Sequence, residues 1–336
     1  MSRSRRAEQT VDAATQQRVR HLVAVSESNP LAPFALRPEK SYVFAPDGTA
    51  AVGYRVRCGT AVAAGDPIGA VDAWPAAIDA FVAHARVRRL RIAVLGCGEH
   101  AKTMWDGYGL TGVAIGRDVV LQQEKFTLEG RQFRNVRQAI KRSHNAGVTV
   151  EIRREGELSD DEVAELRALM HRSHRDDKRG FSMILGRMFD GTVPDSVIPI
   201  ARDAEGVVIG AQRYLWAGPR ELSLDLPIRS RSGPNGVDER LSAEVVKWGA
   251  EHGVDSVSLA FAPFPELFTN KLAGELGILG TIAYRAVHLI DPMIKVERLY
   301  RYLRKFHAFD QERYVMLRWR DTVFVAIAAL LLEFGK

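Results

Sequence analysis

From Tyr42 onward, polar and apolar positions alternate in short stretches separated by turn residues. Tyr42 to Ala45, Thr49 to Val56 and Thr60 to Ala64 alternate like half-buried strands, with Pro46-Asp47-Gly48 and Cys58-Gly59 between them. This predicts a three-strand meander, ended by Gly65-Asp66-Pro67. The period then lengthens. Ile78, Phe81 and Val82 share one face of a helix from about Trp74-Pro75 to His84, and Arg91 to Leu95 reads as a short buried strand. The second half repeats the order. Val197 to Ala201, Val207 to Trp216 and Glu221 to Leu226 are expected strands, Val237 to Glu251 a helix, and Val257 to Phe261 a strand. A repeat of about 150 residues predicts a duplicated α/β domain.

Between the halves the pattern turns basic. From Arg131 to Arg142 there are five positive residues and no acid: Arg131, Arg134, Arg137, Lys141 and Arg142. Steps of three and four place them along one helix face, while Phe133, Val136 and Ile140 lie on another. Five like charges without acidic i,i+4 partners repel one another. The helix is either a solvated face or a phosphate-binding face for RNA or anionic lipid. A second helix, about Asp160 to His174, has a capping box from Ser159 and Glu162. A third basic stretch, Arg298 to Arg320, interleaves aromatic residues. The expected division is an arm at 1–28, a first unit at 29–130, a second at 131–300 and a basic, amphipathic tail at 301–336.

Charge and composition narrow the classes. The 336 residues carry 47 Lys and Arg against 41 Asp and Glu, a mild excess of +6 that names no partner. Two cysteines, Cys58 and Cys97, exclude a disulfide scaffold and a cysteine-ligated zinc site, and suit a reducing compartment. Arg3, Arg5 and Arg6 are not followed by the apolar run of a secretory signal. The longest apolar run, Thr322 to Leu332, is far short of the roughly 20 residues that span a bilayer. It is long enough to lie on one.

Few residues carry a chemical signal. In Leu222-Ser223-Leu224-Asp225-Leu226, period two puts Ser223 and Asp225 on one face. Asp225 either pairs with a neighbouring Arg, or orients or deprotonates a hydroxyl or holds a substrate ammonium. Asp176 to Arg187 is either a loop that plugs the core with Phe181 and Met183, or a pocket rim. His171-x-x-His174 beside Asp176 and Asp177 is too loose a spacing for a metal, and none is expected.

Meander, helix and following strand are also the core of the GNAT acyltransferases. Acetyl-CoA users of that fold carry Arg/Gln-x-x-Gly-x-Gly/Ala between meander and helix. Gly65-Asp66-Pro67-Ile68-Gly69-Ala70 and Ser232-Gly233-Pro234-Asn235-Gly236-Val237 stand there instead, so coenzyme A is not expected. Several motifs in one order resemble the catalytic domain of the aminoacyl-phosphatidylglycerol synthases, also called multiple peptide resistance factors or phosphatidylglycerol lysyltransferases. These are Leu36-Arg37-x-x-Lys40-Ser41, Gly65-Asp66-Pro67, Glu129 to Gln138, Arg179 to Arg187, Leu222 to Leu226 with Pro234-Asn235-Gly236, and Lys305-Phe306 to Glu312-x-Tyr314. The resemblance spans roughly residues 30–335 and is nearest to the mycobacterial-type lysyl branch.

That resemblance implies a tandem GNAT fold of mixed sheets with flanking helices. It also implies an aminoacyltransferase that moves an amino acid, lysine favoured, from aminoacyl-tRNA to the glycerol hydroxyl of phosphatidylglycerol. Asp225 and Ser223 would be catalytic. Asp177, Lys178, Arg179, Ser182, Arg229, Lys305 and Arg313 would contact substrate, and Arg131, Arg134, Arg137, Lys141 and Arg142 the tRNA. Ester exchange calls for no cofactor. The implied partners are aminoacyl-tRNA, anionic phospholipid, the membrane surface and a separate integral membrane, flippase-like domain. The implied location is cytoplasmic, at the inner face of the cell membrane, in a setting of antimicrobial peptide resistance. One position departs: Ile228 falls where the family carries an Arg, with Arg229 one residue on, which leaves another polyol lipid open as acceptor. Transfer to a peptide or protein amine and a non-catalytic membrane- or RNA-binding module are the alternatives.

Overall fold

The computed structural model describes residues 12–173, 185, 188–263 and 296–334. Helix α1 (Ala13–Ala24) starts at Asp12, whose side chain accepts from the Thr15 amide. The first meander is β1 (Ser41–Phe44), β2 (Ala50–Arg57) and β3 (Thr60–Ala64), all antiparallel, with the short β4 (Ile68–Gly69) on β2. Helix α2 (Trp74–Val87) returns the chain so that β5 (Arg91–Cys97) lies parallel to β3. Tyr54, Ala61, Ile92 and Val94 pack against Ile78 and Phe81 of α2, which is why those alternating positions are apolar.

The second unit repeats this arrangement. After α4 (Arg134–Asn145), β7 (Thr149–Arg154) and α5 (Asp160–Arg172) come β8 (Val197–Arg202), β9 (Val208–Trp216) and β10 (Glu221–Arg229), again an antiparallel meander. Helix α6 (Val237–Glu251) then places β11 (Ser256–Pro263) parallel to β10. The fold is therefore a duplicated, GNAT-like α/β fold.

Two strands weld the halves into one twelve-stranded sheet. After α3 (Glu99–Asp106), β6 (Thr111–Gln122) pairs through its later residues with β11. After α7 (Val296–Leu303), β12 (Phe309–Leu317) returns from the far end of the chain and inserts between β5 and β6. The order is β1-β2-β3-β5-β12-β6-β11-β10-β9-β8-β7. Helix α8 (Thr322–Phe334) follows β12 and covers the face of the first unit opposite α2.

Helix α4 buries Val136, Ala139 and Ser143 and leaves Arg134, Arg137, Lys141 and Arg142 exposed, as is Arg131 in the turn before it. It packs on α6, whose N-terminus is Gly236 at φ 103°. A Cβ there would lie 2.1 Å from the Ala139 carbonyl oxygen. Gly236→Ala therefore meets both left-handed strain and backbone collision. It is expected to cost at least about 1–3 kcal/mol, read as a lower denaturant midpoint with an unchanged slope.

Candidate active site

Both units hold two parallel strands, but only those of the first stay paired to the end of the shorter strand. All of β3 pairs with β5, from Thr60–Arg91 to Ala64–Leu95. Beyond it, Asp66 Oδ1 accepts from the Gly98 amide at 2.8 Å and ties the strand ends together. Arg313 on β12, 0% exposed, completes this closure. Its Nη1 donates to Asp66 Oδ2 at 2.6 Å and its Nε to Asp118 Oδ2 at 2.7 Å. Burial pushes the Asp118 carboxyl up, and Arg313 opposes it.

In the second unit, β10 and β11 pair at Glu221–Ser256, Leu222–Val257 and Ser223–Ser258, and then part although both continue. At that fork β10 bulges against β9. Leu224 faces Tyr214 and Leu226 faces Arg213, with Asp225 the extra residue. Regular alternation already points Asp225 to the Arg213 side of the sheet, and the bulge turns Leu226 to that side as well. Asp225 is 4% exposed, and both its oxygens accept. Oδ1 takes the Leu185 amide at 2.7 Å; Oδ2 takes Arg213 Nε at 2.8 Å and Nη2 at 2.5 Å. Arg213 Nη1 also donates to Glu155 Oε2 at 3.1 Å. Glu155 in turn accepts from Ser196 Oγ and from the Phe189 amide. Ser223 is buried beside this chain of groups.

The candidates separate into four groups. Asp225 and Ser223 lie together at the fork. Asp177, Lys178, Arg179 and Ser182 lie outside the described residues, as do His174 and Asp176. Arg229 points to the opposite side from Ile228, which is buried against α5. Its guanidinium donates to Asp238 Oδ2 at 3.2 Å and to the Gly233 and Pro234 carbonyls at 3.1 Å, so it braces the loop into α6. Lys305 Nζ donates to Glu239 Oε1 at 2.5 Å. Arg313, expected at a phosphate, is buried, and it donates to the Asp66 and Asp118 carboxylates and the Gly96 carbonyl. The fourth group is the basic face of α4. Arg137 donates to the Leu128 and Gly130 carbonyls. No ion pair among the described residues involves Arg131, Arg134, Lys141 or Arg142.

Sequence reasoning passed over Glu155, Arg213 and Glu221. The signal for Arg213 was present: a charged side chain inside the otherwise apolar β9 must have a buried partner. Glu221 shares a face of β10 with Ser223, and its carboxyl is pushed up to about 7, chiefly by burial and further by Asp255, Glu27 and Asp310. The folded state then keeps a proton between about pH 4.3 and that value which the unfolded chain has released. Stability consequently falls as pH rises through this window. Glu221→Gln is expected to flatten that fall and to stabilise the protein at pH 8 more than at pH 5, measured by denaturant titration at both.

No group of three or more acidic, His or Cys side chains among the described residues is arranged to hold a metal ion. None of the described helices is long and apolar enough to cross a membrane.

A duplicated GNAT-like sheet, parted at a parallel pair beside a buried Arg–carboxylate network, places the protein in the class of tandem GNAT-like folds. The chain belongs to the phosphatidylglycerol lysyltransferase C-terminal family, whose model matches residues 20–317. It is 44% identical over 325 residues to an MprF-like domain protein of Mycobacterium tuberculosis, covering 94% of this chain and 66% of that protein. It is 36% identical over 289 residues to the lysylphosphatidylglycerol biosynthesis bifunctional protein LysX of Rhodococcus opacus, covering 83% of this chain and 26% of LysX. The chain thus spans just under two thirds of the first relative and about a quarter of the second. Its fold matches L-PGS from Bacillus licheniformis with a TM-score of 0.77 at 19% identity, over 98% of this chain and 99% of that one. A C-terminal domain of a putative lysylphosphatidylglycerol synthetase from Agrobacterium fabrum matches at 0.79 and 19%, over 96% and 98%.

Proposed function

We propose that this protein is an aminoacyltransferase that moves an amino acid, lysine favoured, from aminoacyl-tRNA to a glycerol hydroxyl of phosphatidylglycerol. The observation that carries this reading is family membership across nearly the whole chain, with the family's Ser-x-Asp strand placed where β10 and β11 part. In the reaction the lipid hydroxyl adds to the ester carbonyl and gives up its proton. The tetrahedral intermediate collapses, and the tRNA ribose oxygen leaves and takes a proton. One ester replaces another, so no phosphoanhydride need be spent. The site's work is to hold the hydroxyl about 3–3.5 Å from the carbonyl and to stabilise the oxyanion.

Asp225 serves here as a positioning residue. Its carboxylate fixes both the Arg213 guanidinium and the Leu185 amide. The exposed cations of α4 serve the tRNA acceptor stem through its phosphates. The domain works at the inner face of the cell membrane, and a separate integral membrane, flippase-like domain takes up the product. An added ammonium on the lipid lowers the surface's attraction for cationic peptides.

The deciding experiment incubates the protein with labelled lysyl- or alanyl-tRNA and phosphatidylglycerol vesicles, then extracts the lipids. Labelled lipid is the expected result; none with any aminoacyl-tRNA overturns the reading. Label in a peptide acceptor instead identifies an amine transferase. For the tRNA face, Arg134→Glu with Arg142→Glu is expected to raise KM for aminoacyl-tRNA by about tenfold or more. It should also reduce the salt dependence of tRNA binding by about one unit of slope per lost phosphate contact. KM for lipid should not move.

A further inference from the structure

Helix α8 lies beyond residues 20–317, the span that the family model matches, and the reading above does not use its surface. One side is accounted for. Val325, Ala328 and Leu332 pack on Val62, Ala93, Leu95 and Leu317 of the sheet. The other side is apolar as well. Val323 is 67% exposed, Ile327 45% and Leu330 46%, and Trp319, just before the helix, is 67% exposed. Spacings of four from Val323 to Ile327, three from Ile327 to Leu330 and four from Ile327 to Leu331 make these a continuous stripe. A helix of 13 residues is about 20 Å long, too short to cross a bilayer's roughly 30 Å core.

The rim of the stripe is cationic. The Arg91 guanidinium sits 3.8 Å over the Phe324 ring, with Asp321 at 3.4 Å taking part of its charge. Arg57 lies in the same row of the sheet, through Thr60, and so on the face that α8 covers. Arg57 and Arg320 are exposed, and no ion pair among the described residues involves either. A symmetric contact with a second copy would set this cationic rim against itself. An anionic lipid surface complements both parts: phosphates for the arginines and acyl chains for the stripe.

We propose that α8 is an in-plane membrane seat, its outer stripe sunk at the headgroup boundary of an anionic bilayer, with Arg57, Arg91 and Arg320 on lipid phosphates and Trp319 at the interface. This deepens the lipid-acceptor reading and rests on it for the identity of the lipid. It also places the first unit, not the forked second one, flat against the membrane.

The test is flotation of the full chain, without tRNA, on mixed phosphatidylglycerol–phosphatidylcholine vesicles and on phosphatidylcholine alone. The wild type is expected to float with the anionic vesicles and to be released by salt. The triple variant Val323→Ser, Ile327→Ser, Leu330→Ser changes only exposed positions, so its thermal midpoint should hold. Its vesicle partition should drop by about tenfold or more. Arg57→Gln with Arg320→Gln should weaken anionic binding and leave the remainder less sensitive to salt. Equal flotation of wild type and triple variant, or no flotation, overturns the proposal. So does a concentration-dependent dimer, lost in the triple variant, from a chain that does not float. Docking without lipid transfer would leave the seat standing and remove the enzyme reading; transfer to detergent-dispersed lipid without docking would do the reverse.

Discussion

Replacing Arg313 with Met is expected to lower the free energy of unfolding by about 3–5 kcal/mol at neutral pH. The guanidinium is fully buried between Asp66 and Asp118, residues 247 and 195 positions away in sequence. Methionine fills much of the volume but leaves two buried carboxyls facing each other, and the cheapest remedy is for one to bind a proton. The variant therefore holds a proton in the folded state that the unfolded chain, with ordinary carboxyls, has already released. Its stability falls as pH rises above about 4, so the gap to the wild type should be widest above pH 7 and close on acidification. Adding Asp118→Asn should recover part of the loss, because only one buried carboxylate remains. A penalty independent of pH, or below about 1 kcal/mol, would mean that the triad does not hold the strand ends together.

The same triad shows what local pattern can and cannot reveal. Both meanders, α2, α6 and the strands after them follow from alternation and turn residues that lie within each stretch. Val237–Glu251 is the helix expected from sequence at both ends. Strands β6 and β12 were not anticipated. In β12, Phe309–Leu317, Asp310, Glu312 and Arg313 interrupt the apolar pattern, so the segment reads as a basic surface stretch. Arg313 belongs in the interior only because carboxylates from two other elements meet it there. The basic helix was legible as a helix with a buried Val136 face, although it begins at Arg134. At the fork, Asp225 stood out because a carboxylate among leucines needs a partner. Neither the bulge that follows it nor the identity of that partner can be read from β10 alone.

Asp225→Asn is expected to reduce aminoacyl transfer by at least about a hundredfold. The carboxylate accepts from the Leu185 amide on one oxygen and from two Arg213 nitrogens on the other. An asparagine has one acceptor oxygen, and its amide nitrogen would meet a donor whichever way it turns. Either the backbone at Leu185 or the Arg213 guanidinium must therefore let go. A reacting geometry built on them loses its support even though the protein keeps its shape elsewhere. Arg213→Lys should show a similar loss, and the double variant little more than either single one, because both remove the same support. The pH profile separates this role from direct proton transfer. If Asp225 took the hydroxyl's proton, the acidic limb would vanish in the Asn variant. If it holds the site in place, residual activity keeps the limb and falls mainly in kcat. Near-normal transfer by Asp225→Asn would remove the residue from the site altogether. Loss confined to KM for the lipid would mean that the fork binds the acceptor headgroup rather than aligning the reacting ester.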